Sequence, residues 1–397
     1  MTDSGVPWRL IGPTVLLPNL LNSMGQGVAM TAVPLAATAV TGSFAAAAAI
    51  AALLTVGQFC STLPAGWLVD RWGERVAMIL STGVTAIGGT LPFIGSSAVM
   101  LGAGAALIGA GVSVFAMARH AWITVAVPAE VRGRTLSVVA GFTRLGTLLG
   151  PFMAAGTFHL SGRPESAFLV VVGTAVVLLL LVLVTPFPVS GTRRGETDGS
   201  PGVMATMRDH KGALLQLGVT VSVISAMRTG RRVLIPLIGV SIGWTDVSIA
   251  LLIGITGTLD FAVCYAGGAL VDRLGRTAVG VGTLATFGAA HVAIALALAL
   301  PADDMLYVAA VTAMSAANGI SGGLVPTIGS DLADPVSPAT FLSSWRLVTD
   351  AGGSAAPVVV VAVSGALGLG AACLAMALAA SLAATLLPRF SRRHLGG

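Results

Sequence analysis

At 397 residues, 55% hydrophobic and only 9% charged, the chain falls far below the roughly 25% charged residues of a water-facing domain. That excludes a soluble or disordered protein, and the formal net charge of +5 implies no nucleic-acid partner, because the basic residues gather in short loops at the ends of apolar runs. Cys60, Cys264 and Cys373 lie inside apolar runs and read as buried small side chains, not as disulfide or metal ligands.

Runs of about 18 or more apolar residues read as membrane-spanning helices. The N-terminus lacks the charged, apolar and cleavage-site order of a removable signal peptide. The first expected span, 10–40, carries Asn19, Asn22 and Gln26. The second and third, 46–68 and 76–96, flank a charged turn, Gly66-Trp67-Leu68-Val69-Asp70-Arg71-Trp72-Gly73-Glu74-Arg75. The fourth, 98–127, holds Arg119 and His120, and Glu130 follows it. The fifth, 134–160, carries Arg144 and then Gly146, Gly150 and Pro151, a spacing of small residues that lets helices approach closely, with a proline that can kink. The sixth is 166–187.

Residues 188–212 form the one long polar linker, and six more spans follow it. The seventh, 213–241, carries Arg228, Arg231 and Arg232 at i, i+3 and i+4, hence on one helix face. The eighth, 246–271, contains Asp260 and ends in a second charged turn, Gly268-Ala269-Leu270-Val271-Asp272-Arg273-Leu274-Gly275-Arg276. The ninth, 277–300, holds His291; the tenth is 304–329, with Asp331 and Asp334 expected as solvated residues at its end. The eleventh, 338–366, carries Arg346 one turn before Asp350, close enough to pair, and the twelfth, 367–388, leads to a short basic tail.

The two charged turns are 202 residues apart (268 − 66), and Pro34-Leu35 matches Pro236-Leu237 at that offset. Leu136-Ser137 matches Leu342-Ser343, and Pro151 matches Pro357, at 206. The expected fold is therefore an all-α membrane protein of 12 transmembrane helices in two pseudo-symmetric six-helix bundles, 1–187 and 213–397. Fourteen basic residues fall on one side of the spans and only Arg163 on the other, which places both termini and the linker in the cytoplasm of a multi-pass cell-membrane protein.

The charged turn Gly66-x-Leu68-x-Asp70-Arg71-x-Gly73-x-Arg75 resembles the loop between helices 2 and 3 of the major facilitator superfamily, and its second copy resembles the loop between helices 8 and 9. Gly146-x-x-x-Gly150-Pro151 resembles the helix 5 motif of that family's proton-driven exporters, the drug/proton antiporter group. The resemblance implies that Gly66, Asp70, Arg71, Gly73 and Arg75, with Gly268, Asp272, Arg273, Gly275 and Arg276, form a conformational latch of the outward-facing state. Glu130 is the candidate acid for those arginines, and the two turn glycines permit the tight bend. In that family helices 5 and 8 adjoin, as do 2 and 11. Arg144 is accordingly expected beside Asp260, and Gln58 beside Asp350, while His291 faces the periphery without a role.

Charge inside a bilayer is expensive and marks function by default. Arg119, Arg144, Arg228, Arg231 and Arg232, with Asn22 and Gln26, are the expected cavity and substrate groups. Asp260 and Asp350, the latter with Arg346, are the proton-coupling candidates. No phosphate-binding glycine loop and no His, Cys and acid cluster are present, so the chain reads as neither an ATP-driven pump nor an enzyme, with no cofactor. The expected function is proton-coupled efflux of a small molecule by a monomeric carrier, with protons and the lipid bilayer as its other partners. The alternative is an organic-anion carrier using the helix 7 arginines, whose guanidinium forks suit carboxylate or phosphate.

Overall fold

With no water in the hydrocarbon layer, a chain must satisfy its backbone internally, and the apolar runs do so as helices. The computed structural model describes residues 11–95, 97–185, 203–300, 304–333 and 338–394. Arg9, Arg193, Arg194, linker residues 188–202 and Asp334 lie outside them. Helix α1, Leu17–Thr41, continues from a π-helical turn at Gly12–Leu16. Helices α2, 44–72, and α3, 74–94, run as one segment, Phe44–Ile94, bent at Gly73. Then come α4, Ala98–Ala126, α5, Ala129–Ser161, and α6, Ala167–Val184. After a short helix at Val203–Asp209, a second π-helical turn, Leu214–Gly218, leads into α7, Val219–Ser241. Helices α8, Asp246–Leu274, and α9, Arg276–Ala299, follow. Helix α10, Asp304–Ile320, is interrupted before a further segment, Leu324–Asp331, and α11, Pro338–Leu367, and α12, Leu369–His394, end the chain.

Start and stop signals are local. Ser43 and Ser97 accept from the backbone N–H three residues on, at Ala46 and Met100, and so cap α2 and α4. Eleven helical segments of the described residues are long and apolar enough to cross a membrane. The twelfth expected span, α1, is 25 residues long but is diluted by Asn19, Asn22 and Gln26. Only 28–50% of each span's most apolar stretch is buried. Leu160, Val184 and Val99 stand 87%, 82% and 79% exposed, which is consistent only with lipid as the surrounding solvent.

The repeat reaches the core. The two π-helical turns are offset by 202 (214 − 12), although Gly12-Pro-Thr-Val-Leu and Leu214-Leu-Gln-Leu-Gly share no pattern. Val15 and Ala77 lie in one buried cluster and their counterparts at +202, Leu217 and Val279, in another. Trp122 and Val139 likewise correspond at +206 to Ile328 and Trp345. The chain divides into two compact units, Met1–Arg194 with Trp244–Gly254, and Gly195–Gly243 with Ile255–Gly397. The start of α8 thus groups with the first unit, where Gly254 lies against the Phe152 ring of α5.

Both charged turns bend at glycine. Gly73 has φ 81°, ψ 166° and Gly275 φ 83°, ψ 157°, a region that residues with a Cβ avoid. A Cβ at Gly73 would meet nothing within 4 Å, so Gly73→Ala isolates the backbone term. It should cost about 1–3 kcal/mol, read as a lowered unfolding midpoint in detergent; an unchanged midpoint would show that the turn relaxes freely.

Candidate functional site

In the second unit, polar groups of α7, α8 and α10 converge. Arg231 Nη2 donates to Asp260 Oδ2 at 3.1 Å, and its Nη1 donates to Ser315 Oγ at 2.9 Å. Asn318 Nδ2 donates to the same Oδ2. The pair is largely enclosed, with side chains 14% and 18% exposed. Arg232, exposed, stands close enough to feel both charges. Two guanidinium groups therefore meet one carboxylate, a net +1 (2 − 1).

Arg228 has a different task. Helix α10 stops at Ile320 and the chain turns through 321–323, a break within the expected 304–329 span that Gly322-Gly323 marks. A helix end leaves backbone carbonyls without partners. Arg228 Nη2 donates to the Ser321 carbonyl and, at 3.0 Å, to Ser321 Oγ, placing a cation at the helix C-terminus where its dipole favours one. Tyr307 Oη donates to the Ile235 carbonyl at 2.8 Å and ties α10 to α7 beside Pro236. Ser315, Asn318 and Ser321 recur every third residue, so they face one way. Sequence reasoning missed them; the signal was that polar period within an otherwise apolar span.

The first unit holds a second network. Arg119, expected on the cavity wall, is 5% exposed and enclosed. It donates through Nη1 to Asn19 Oδ1 and through Nη2 to His120 Nε2, at 3.1 Å. Asn19 Nδ2 in turn donates to the Val139 carbonyl and Thr143 Oγ1, both at 2.9 Å, so that α1, α4 and α5 are tied together. No carboxylate pairs with Arg119 among the described residues. Asn22 and Gln26 are half-buried on α1. Arg144 lies half-buried on α5.

The glycine spacing of α5 makes a close seam with α1. A Cβ at Gly150 would lie 2.4 Å from the Gly27 carbonyl carbon, and one at Gly146 2.6 Å from the Leu20 carbonyl oxygen. The same seam occurs in the second unit. Gly352 is the repeat-equivalent of Gly146 (352 − 206), and a Cβ there would lie 2.5 Å from Ser222 Oγ of α7. Pro357 follows as Pro151 does. Close packing at the Gly146 position is thus common to both halves, although Ala356 stands where Gly150 does.

The charged turns differ in their partners. Arg75 Nη2 donates to the Leu183 carbonyl at the end of α6, at 2.8 Å. The side chain of Glu130, its expected partner, lies outside the described residues. Asp70 and Asp272 are exposed. Asp331, expected to be solvated, pairs with Arg276 at 2.9 Å. Arg346 pairs with Asp350 at 3.3 Å as its spacing predicts, and both are well exposed. Gln58 Nε2 is buried without a hydrogen bond. His291, expected at the periphery, is fully enclosed, with Nδ1 2.7 Å from its own helix's Phe287 carbonyl. Cys60, expected to be buried, is exposed.

These features meet a consistent set of likenesses. A model of the Major Facilitator Superfamily matches residues 15–357. An uncharacterized MFS-type transporter of Bacillus subtilis (strain 168), YdeG, is 27% identical over 314 residues, covering 74% of this chain and 71% of that protein. Among solved structures, a POT family transporter bound to a thioalcohol-conjugated peptide superposes with a TM-score of 0.78 at 13% identity, covering 97% and 96% of the two chains. The Escherichia coli xylose transporter XylE, partially occluded and inward open, gives 0.72 at 15% identity, covering 96% and 99%. Their low identity speaks for the fold alone. With a family model matched over most of its length, the chain belongs to the Major Facilitator Superfamily of membrane transporters.

Proposed function

We propose that this transporter carries a small organic anion, coupled to protons, by alternating access of its two halves around a central site. The observation behind this reading is the helix α7 arginine row, in which Arg231 and Arg232 outnumber the single carboxylate of Asp260. Guanidinium forks bind carboxylate or phosphate in two-bond geometry. Arg231 and Arg232 form the charged wall in the second half, and Asn22, Gln26 and Arg144 are the candidate cavity groups of the first. Asp260 and Asp350, the latter with Arg346, are the proton-coupling groups. The charged turns at Asp70 and Asp272 bias the equilibrium toward the outward-facing state. The protein works as a monomer in the cell membrane with termini and linker on the cytoplasmic side.

The second reading is proton-driven efflux of an uncharged or cationic small molecule, as in the drug/proton antiporter group. The α1–α5 glycine seam favours it. The matching α7–α11 seam weakens that argument, since a device built into both halves is ordinary packing before it is a signature of export.

Purified protein in vesicles under an imposed pH gradient decides between them. Gradient-driven flux of benzoate without flux of tetraphenylphosphonium is expected. Flux of the cation alone would overturn the anion reading in favour of efflux.

A further inference from the structure

We infer that Asp260 is the counter-ion of the empty carrier, a built-in stand-in for the carboxylate of the substrate. The inference rests on the anion reading. It begins from a problem that any carrier with a cationic site must solve. When such a carrier returns without cargo it passes through a closed state in which water is expelled, and a guanidinium left there unpaired is expensive.

Arg231 would be that group. Its Nη1 has only the neutral hydroxyl of Ser315, 2.9 Å away, and Arg232 stands beside it with the same charge. Asp260 Oδ2, 3.1 Å from Arg231 Nη2, offers a carboxylate where the cargo's own carboxylate would otherwise be needed. The remaining contact of that oxygen supports an exchangeable role. Asn318, one turn beyond Ser315 on α10, donates to Oδ2 independently of Arg231. When an arriving anion takes the fork of Arg231 and the exposed Arg232, Asp260 keeps a hydrogen-bonding partner and need not travel. Among the described residues the charged side chains placed at Asp260 are Arg231 and Arg232 of α7, while α10 contributes Asn318 to Asp260 and Ser315 to Arg231, both uncharged. Net charge of Arg231, Arg232 and Asp260 is +1 when empty (2 − 1) and 0 with a monoanion bound (2 − 1 − 1), so neither state carries an excess of negative charge.

The prediction concerns which half of the transport cycle fails. Vesicles containing the full-length protein are loaded with labelled benzoate, and efflux is followed into buffer with or without external unlabelled benzoate. Wild type is expected to release label into plain buffer. Asp260→Asn should lose net efflux by about tenfold or more, because one partner of an enclosed ion pair is gone, yet keep most of the efflux that external benzoate drives. The double variant Asp260→Asn with Asn318→Asp keeps the charge of the site and should regain net efflux; it is also the safeguard should the single variant fail to fold. Equal loss of net efflux and exchange in Asp260→Asn would overturn the inference, as would unchanged net efflux or a charge-swapped variant that only exchanges. Absence of any benzoate flux in wild type would overturn the anion reading itself, an outcome distinct from the other three.

Discussion

Replacing Arg231 by Met is expected to lower the free energy of unfolding by about 3–5 kcal/mol, the range for stripping one partner from a buried ion pair. The loss comes from what is left behind, an Asp260 carboxylate enclosed with only Asn318 and no cation at bonding distance. The double variant Arg231→Met with Asp260→Leu should recover most of that loss, because an apolar pair of similar volume requires no desolvation of charge. Unfolding midpoints in detergent across wild type, both singles and the double test this. A double variant as unstable as the sum of the singles would mean that the two residues contribute independently, with no coupling between them, and would overturn this account. Net efflux should be lost in every variant, including the double whose stability is restored, so stability and function separate cleanly. A site kept for function at no gain in stability is what an intramembrane ion pair is expected to be.

Gly150→Val should cost about 1–3 kcal/mol or more, since the new Cβ would lie 2.4 Å from a backbone carbon of Gly27 and 2.5 Å from the Val28 nitrogen. Backbone atoms cannot turn aside as a side chain can, so α1 and α5 must part. Gly352→Val should behave alike against Ser222 of α7. Gly156→Val, where a Cβ meets nothing within 4 Å, should be near neutral and serves as the control on the same helix. Midpoints and flux measured together also bear on function. If the α5 seam serves export specifically, Gly150→Val should impair coupling beyond its effect on folding while Gly352→Val does not. Matched losses in both would mark the seam as packing common to the two halves.

Much of the architecture was legible in the chain because lipid imposes a one-dimensional code. Apolar run length sets a span, and loop arginines set its ends. Equal offsets between Pro34 and Pro236 or Gly73 and Gly275 reveal duplication without coordinates, and the positive φ of both glycines follows from that match. The i, i+4 spacing of Arg346 and Asp350 likewise foretold their contact, since it depends on a single helix.

What the chain could not announce lies between helices. Arg228, Arg231 and Arg232 share one face by spacing alone, yet one seals the end of a broken helix, one holds Asp260 and one stands exposed. Arg119 likewise reads as a cavity residue until α1 supplies Asn19 and encloses it. Sequence by itself determined the solvent, the all-helical membrane fold and the twofold repeat, because these depend on composition and period along one strand of residues. Tertiary structure alone decided which charge meets which, because an ion pair is made by the rotation and depth of two separate helices, and neither quantity is written in either helix.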